Sequence, residues 1–336
     1  MSTIGTLKNL LDWGKELDPD GSTAVVAELL SQYNGVIKSA QWMEGNLPTG
    51  HRISQRTGLP AVYWRLINQG VPTGKATTAQ VDEQCAMLTG RNEIDKALVE
   101  LNGNESSYRL SQAKAHIEAM NQEMAGTMIY GTAASPEEFV GLAARYSSLS
   151  GAISANVLSA GGTTTLTSVY LVGWGENGIY GIFPKGSMAG LQHDDLGVID
   201  AFDASNNRFR AYADYFEWKG GLAVEDWRYG VRIANIDTAA LAALTGTQAV
   251  TAATSIVALM SRAIDRLPNL GGVSPVFYAN RTVMSLLRVA ALRNSSGAVT
   301  VEPALNQFGK TIFETRFLGI PVEIEDQITN SETQVS

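Results

Sequence analysis

A chain of 336 residues, 45% hydrophobic and 17% charged, is long enough to bury a large core, which excludes a wholly disordered polymer. A net charge of −8 with pI near 5.0, and no run of Lys or Arg, excludes a protein built for tight, sequence-independent binding to a polyanion. The single Cys85 excludes an internal disulfide framework, and the absence of a long apolar run or a signal-like start at Met1–Leu10 predicts synthesis in the cytoplasm and no membrane contact.

The first fifty residues hold one short apolar stripe, Val25, Val26, Leu29, Leu30 and Tyr33, which predicts a single helix in an irregular arm. From Arg52 to Thr89 apolar positions are sparse. The stretch Gln69-Gly70-Val71-Pro72-Thr73-Gly74 is turn chemistry between the β-prone Tyr63, Trp64 and Thr77, Thr78. A long, thinly buried hairpin follows from that pattern, although Val81, Cys85 and Leu88 also fit one face of a helix.

Residues 104–128 carry Leu110, Ala113, Ile117, Met120, Met124 and Met128 at spacings of three and four, the mark of an amphipathic helix roughly 35 Å long. Ser135, Pro136 and Glu138 spell a capping box that predicts a second helix through Phe139, Leu142 and Ala143. Alternation then predicts strands over 164–172 and 210–218, with Lys219-Gly220-Gly221 as a hairpin turn into 222–233. Helical periodicity returns from Val250 to Leu267. A short strand at 276–278, a helix from Thr282 and a strand from Ile312 through Ile324 complete an α+β order.

Few residues offer chemistry. Gly173-Trp174-Gly175-Glu176-Asn177-Gly178 matches the dinucleotide pattern, the basis of an alternative reading as a nucleotide-binding enzyme. Ile179–Phe183 continue as β, however, so no helix N-terminus follows to hold a pyrophosphate, and a turn between strands is expected instead. His193-Asp194-Asp195 reads as a solvated loop rather than a metal site, because adjacent side chains rarely converge on one ion. Nucleophile elbow, P-loop and zinc-protease motifs are all missing. No cofactor and no catalytic residue are expected. The aromatics between Phe209 and Tyr229 are interleaved with Asp214, Glu217, Glu225 and Asp226, which favours burial between sheets or subunits over base stacking.

Certain segments, in their order along the chain, resemble the major capsid proteins of tailed bacteriophages with the HK97-like fold, particularly those of short-tailed phages. They are Trp64-Arg65-Leu66-Ile67-Asn68, Gln80-Val81-Asp82-Glu83, Pro136-Glu137-Glu138-Phe139, Arg145-Tyr146, Pro184-Lys185-Gly186, Asp226-Trp227-Arg228-Tyr229, Phe277-Tyr278-Ala279-Asn280 and Leu318-Gly319-Ile320-Pro321-Val322.

The resemblance implies an N-terminal arm (1–50), an E-loop hairpin (51–90), a P-domain (91–237) with its spine helix, an A-domain (238–327) and a C-terminal tail (328–336). It implies many copies of the chain in hexamers and pentamers of an icosahedral virion shell around double-stranded DNA. A separate scaffold, a portal and decoration proteins would be the partners, and contact with the packaged DNA would be weak and non-specific. Trp64, Arg65 and Lys75 in the hairpin, Trp218 and Trp227 in the peripheral sheet, and Gly319 and Pro321 near the axial strand are the candidate inter-subunit residues. No covalent cross-link is expected through Lys75.

Overall fold

Strand β6 (Leu166–Trp174) is buried at every position, on both of its faces. Each of its faces carries one polar residue among apolar ones, and both, Thr167 and Ser168, are buried too and find partners inside, in Asn280 and Arg232. The computed structural model describes residues 32–100, 105–203, 205–239, 247–293, 299–305 and 311–336. The predicted 25–33 helix lies outside them except for Gln32 and Tyr33, which are exposed.

Around β6 the chain lays a mixed sheet. In chain order the further strands are β1 (Trp42–Glu44), β4 (Ala86–Asp95), β5 (Val157–Ser159), β7 (Ile179–Phe183), β8 (Leu191–Phe202), β9 (Arg208–Val224), β10 (Gly230–Asp237), β11 (Ser274–Ala279), β12 (Val299–Leu305), β13 (Thr311–Phe317) and β14 (Ile320–Ile324). The main path runs β12-β13-β14-β11-β6-β7-β9-β4, with β10 also on β6, β5 on β10, β1 on β7 and β8 on β9. A separate antiparallel ribbon joins β2 (Gly50–Gly58) to β3 (Thr77–Gln84). This is the thin hairpin that the sparse apolar pattern predicts; Val81 lies on β3, while Cys85 and Leu88 belong to the turn into β4 and to β4 itself, so no helix forms there.

Among the described residues the helices are α1 (Gly35–Ser39), α2 (Lys96–Glu100), α3 (Glu105–Tyr130), α4 (Leu142–Arg145), α5 (Thr247–Ile264) and α6 (Arg281–Arg293). The 26-residue α3 is the expected long helix. Its C-terminal half packs Met124, Met128 and Ile129 into the main core and buries Met120 outside that cluster, whereas Leu110 and Ile117 of the same stripe remain exposed. On α5, Ile256, Met260 and Ala263 face the core; on α6, Val283, Met284 and Leu287 do so. Asn280 caps α6 by accepting from the Val283 N–H at 3.0 Å.

Four local expectations are corrected. The 135–138 capping box forms no helix: Ser135 lies in a turn, and α4 starts only at Leu142 with Gly141 as its cap. Phe139 is drawn into the core, and Gly141 N–H bonds Gly131 O at 2.9 Å, so the chain closes a loop where a helix would have to run outward. Lys219-Gly220-Gly221 is no turn either. Strand β9 runs straight through for 17 residues, leaving β4 and β8 to pair with β7 from Gly221 onward. The strand expected over 312–324 is instead a β13–β14 hairpin, because Leu318 and Gly319 both take positive φ, 48° and 81°, as a tight primed turn requires. Finally, His193–Asp195 lie on β8 rather than in a loop.

Candidate assembly surface

The β2–β3 hairpin is fastened at its foot and bare at its tip. At the foot, Ile53 is buried against Tyr180, Ile182 and Ala223. Arg145 of α4 donates two hydrogen bonds of 2.7 Å to the carboxylate of Glu83 and a third to Leu222 O at 3.2 Å. Gln55 donates to the Glu225 carbonyl at 2.8 Å. Cys85 closes the same corner, half-buried, where burial pushes its thiol up to about 11. On the rung between Glu83 and Ile53, Arg52 pairs with Asp82 across the ribbon at 2.6 Å, an exposed pair that holds the Asp82 carboxyl below its ordinary range.

Beyond Gly58, residues 59–76 are exposed throughout. Leu59, Val62, Trp64, Leu66 and Ile67 present their side chains to solvent, with Trp64 at 104% of its reference exposure. Contiguous exposed apolar surface of this kind marks an interaction site. Each such side chain stabilises an assembly by about 1.5–3 kcal/mol when fully covered.

Of the seven candidate residues, the structure gathers Trp64, Arg65 and Lys75 on this tip. Trp218 and Trp227 sit elsewhere, half-buried against the main core. Trp218 lies 6.4 Å from Trp42 between ring centroids, and its indole N–H is buried without an acceptor among the described residues. Trp227 opens a 3₁₀ turn whose carbonyl accepts from the buried Tyr146 hydroxyl at 2.7 Å. Gly319 is exposed at the β13–β14 turn, and Pro321 pairs with Arg316 on the adjoining strand.

Sequence reasoning missed a charged cluster on the three-stranded part of the sheet. Arg109 of α3 reaches both Asp195 and the buried Asp214 at 2.7 Å, and His193 Nε2 lies 3.0 Å from Asp214 while its ring stacks on Phe216 at 4.8 Å. These bonds push the Arg109 guanidinium up and hold Asp195 down. The cluster ties α3 to the sheet. Its contacts span 21 to 105 residues of chain and left no local signal in the sequence.

The glycine-rich 173–178 segment turns β6 directly into β7, with Gly178 N–H on Gly175 O at 2.9 Å and no helix following. A dinucleotide cradle is therefore not built there. Among the described residues, no group of three His, Cys, Asp or Glu side chains could hold a metal ion, and no helix is long and apolar enough to cross a membrane.

A clamped ribbon with a bare apolar tip, carried beside a long helix on a mixed sheet, is an arrangement for binding protein. The family model for major capsid protein GP7 matches residues 18–336. The chain belongs to the major capsid protein GP7 family. Its structure aligns with a chain of the bacteriophage Epsilon15 structure over 100% of its own length and 99% of that chain, at 30% identity and a TM-score of 0.71. The bacteriophage JBD30 capsid aligns over 89% of this chain and 93% of that one, at 9% identity and a TM-score of 0.48. A search of curated protein sequences finds no match. This major capsid protein has the HK97-like fold, and its place is the icosahedral shell of a virion, built from many copies of itself.

Proposed function

We propose that this capsid protein assembles into the hexamers and pentamers of a shell enclosing double-stranded DNA, and that it works by covering its neighbours' surfaces rather than by catalysis. The observation that carries the reading is the 59–76 tip: an apolar loop with no contact to its own core gains stability only when another copy covers it. Summed over a closed lattice, many such modest contacts give a large total.

The parts divide the labour as arm (1–50), E-loop hairpin (51–90), P-domain with spine helix (91–237), A-domain (238–327) and tail (328–336). Trp64, Arg65 and Lys75 are the contacts the geometry favours most. Trp218 and Trp227 act by shaping their own subunit, and Gly319 with Pro321 shape an exposed turn that faces the capsomer axis. The chain is made in the host cytoplasm and assembles there with a separate scaffold and a portal, and a decoration protein can bind outside. With a net charge of −8, contact with packaged DNA is weak and non-specific.

Negative-stain microscopy of the purified chain, alone and with its scaffold, tests this. Shells or rings are expected, and replacing residues 60–75 by a short Gly-Ser turn should leave folded monomers. A wild-type chain that stays monomeric at every salt and protein concentration would refute the reading. Uniform closed shells from the chain alone would remove the separate scaffold.

A further inference from the structure

Residues 33–39, the root of the arm, are held by one short acidic run. Glu323 accepts from Ser39 Oγ at 2.8 Å and pairs with Lys38 at 3.1 Å, Glu325 accepts the Val36 N–H at 2.9 Å, and Asp326 accepts the Tyr33 N–H at 2.9 Å. The backbone adds to the hold. Asp326 N–H donates to Tyr33 O at 3.1 Å, and Gly35 lies so close to β14 that a Cβ there would stand 2.7 Å from the Glu323 carboxylate and 2.8 Å from Ile324 O.

The three carboxylates differ in what balances them. Glu323 has Lys38 and Asp326 has Arg281, whereas Glu325 is wholly shielded and has no cation among the described residues. The groups that face it are Glu323 and Asp326 on its own segment, Tyr33 and Lys38 from the root, Arg281 from α6, and Tyr278 from β11, whose phenol burial keeps neutral. At the margin, Glu118 of α3 accepts the Gln32 N–H at 2.9 Å, and Arg288 of α6 and Glu314 of β13 share with Glu323 a groove of about 180 Å³. Across an antiparallel bridge from Glu325 stands Asn34, 9% exposed, with both amide atoms unpartnered among the described residues. A neutral amide cannot balance an ionised carboxylate. Burial without a counter-charge favours the protonated form, and here it pushes the Glu325 carboxyl up to about 7.

We propose that Glu325 is a proton-operated latch on the arm root: protonated, it holds residues 33–39 against β14, and on releasing its proton to solvent it loosens them for contact with another surface. Unlatched and open to water, the same carboxyl returns to its ordinary value of 4.5, so latching and proton binding favour each other. The hold is full below about pH 4.5, weakens as pH rises, and reaches its floor above about 7. The latch belongs to the fold of one subunit and stands independently of the shell-forming reading.

Amide hydrogen exchange of the full-length chain, corrected for the intrinsic rate at each pH, tests it. From pH 5 to pH 8 the protection of the Tyr33 and Val36 amides should fall by roughly 50–100-fold. At each pH these amides should exchange at least about tenfold faster than those of β6, because the root opens without the sheet. Glu325→Gln should abolish the fall. Asn34→Lys, which keeps the carboxylate and sets a cation across the bridge from it, should remove most of the fall, so either variant decides where the other does not fold. A fall of wild-type size in a folded variant would overturn the latch. Protection equal to that of β6 at both pH values would overturn it as well, since the root would then be released only by global unfolding.

Discussion

The Glu325 carboxylate, wholly shielded from solvent, accepts the backbone N–H of Val36 at 2.9 Å and so ties the first turn of α1 to the end of β14. Asn34 faces Glu325 across a single antiparallel bridge, and Asp326 accepts the Tyr33 N–H at 2.9 Å beside it. Lys38 pairs with Glu323 and Arg281 with Asp326, which leaves Glu325 without a cation of its own among the described residues.

Burial, reinforced by Asp326 and Glu323, pushes the Glu325 carboxyl from 4.5 up to about 7, against the opposing effect of the Val36 and Gln327 N–H groups. The folded chain thus keeps a proton over a range in which the unfolded chain has released it. The stability this group contributes is full below about pH 4.5 and is lost as pH rises through about 7. Urea unfolding at pH 5 and pH 8 should show a drop that Glu325→Gln reduces by about 2–3 kcal/mol. An unchanged pH profile in that variant would refute the assignment.

Arg145 and Glu83 form the clamp on which the hairpin hangs, and Glu83 is only 7% exposed. Arg145→Ala strands a buried carboxylate, for which the expected loss is about 3–5 kcal/mol. Replacing both residues by Met should recover much of that stability, yet the hairpin would lose the directional bonds that fix its angle. Chemical denaturation and shell yield, measured together, should therefore separate in the double variant, stability returning and assembly staying impaired.

How far the sequence revealed this architecture depended on whether the deciding contact was local. The α3 stripe and the α5 and α6 periodicities are local and were legible. The bare tip was legible too, since a run of turn residues between β-prone flanks has no buried face to offer. The Gly220-Gly221 pair reads as a turn in the sequence because its reason lies 137 residues away: a Cβ on Gly221 would stand 2.6 Å from the carbonyl oxygen of Gln84, where β9 passes under the hairpin foot. A groove at that foot joins residues 86–88, then Glu123, Met124 and Thr127, then 137–139, three segments that share no pattern until the fold brings them together.

That close approach makes its own prediction. Gly221→Ala must push β9 away from Gln84 or twist the ribbon at its root, so a loss of about 1–3 kcal/mol is expected. Gly319→Ala, at an exposed turn with open space around it, should cost less, about 1 kcal/mol, through its positive φ alone. Thermal unfolding of the two variants side by side checks the order, and a larger loss at Gly319 would contradict the packing described at the foot.

Glu332 anchors the last residues of the chain to the centre of the sheet. Its carboxylate accepts from Arg232 Nη2 at 2.9 Å, from the Tyr130 hydroxyl at 2.6 Å and from Ser168 Oγ, while its N–H bonds Leu166 O. The Arg232 and Glu332 side chains are 6% and 4% exposed, and the other Arg232 amino group is held by the carbonyls of Ala143 and Tyr146. Three residues on, Val335 and Asn235 exchange two hydrogen bonds of 2.9 Å. Removing the carboxylate leaves a buried guanidinium without its counter-charge, so Glu332→Ala should cost about 3–5 kcal/mol. Deleting residues 334–336 removes no buried charge but loses the Asn235–Val335 pairing, the bonds of Leu149 N–H and Ser148 Oγ to Ser336 O, the Gln334 bond to Gly162 O and the burial of Val335, for which about 2–4 kcal/mol is expected. Glu332→Gln keeps the shape and the hydrogen-bond acceptor but not the charge, and should fall between wild type and Glu332→Ala. Guanidinium unfolding of the three variants distinguishes an electrostatic anchor from simple packing: if Glu332→Gln is as stable as wild type, the charge of Glu332 does not hold the tail, and the hydrogen bonds alone account for its position.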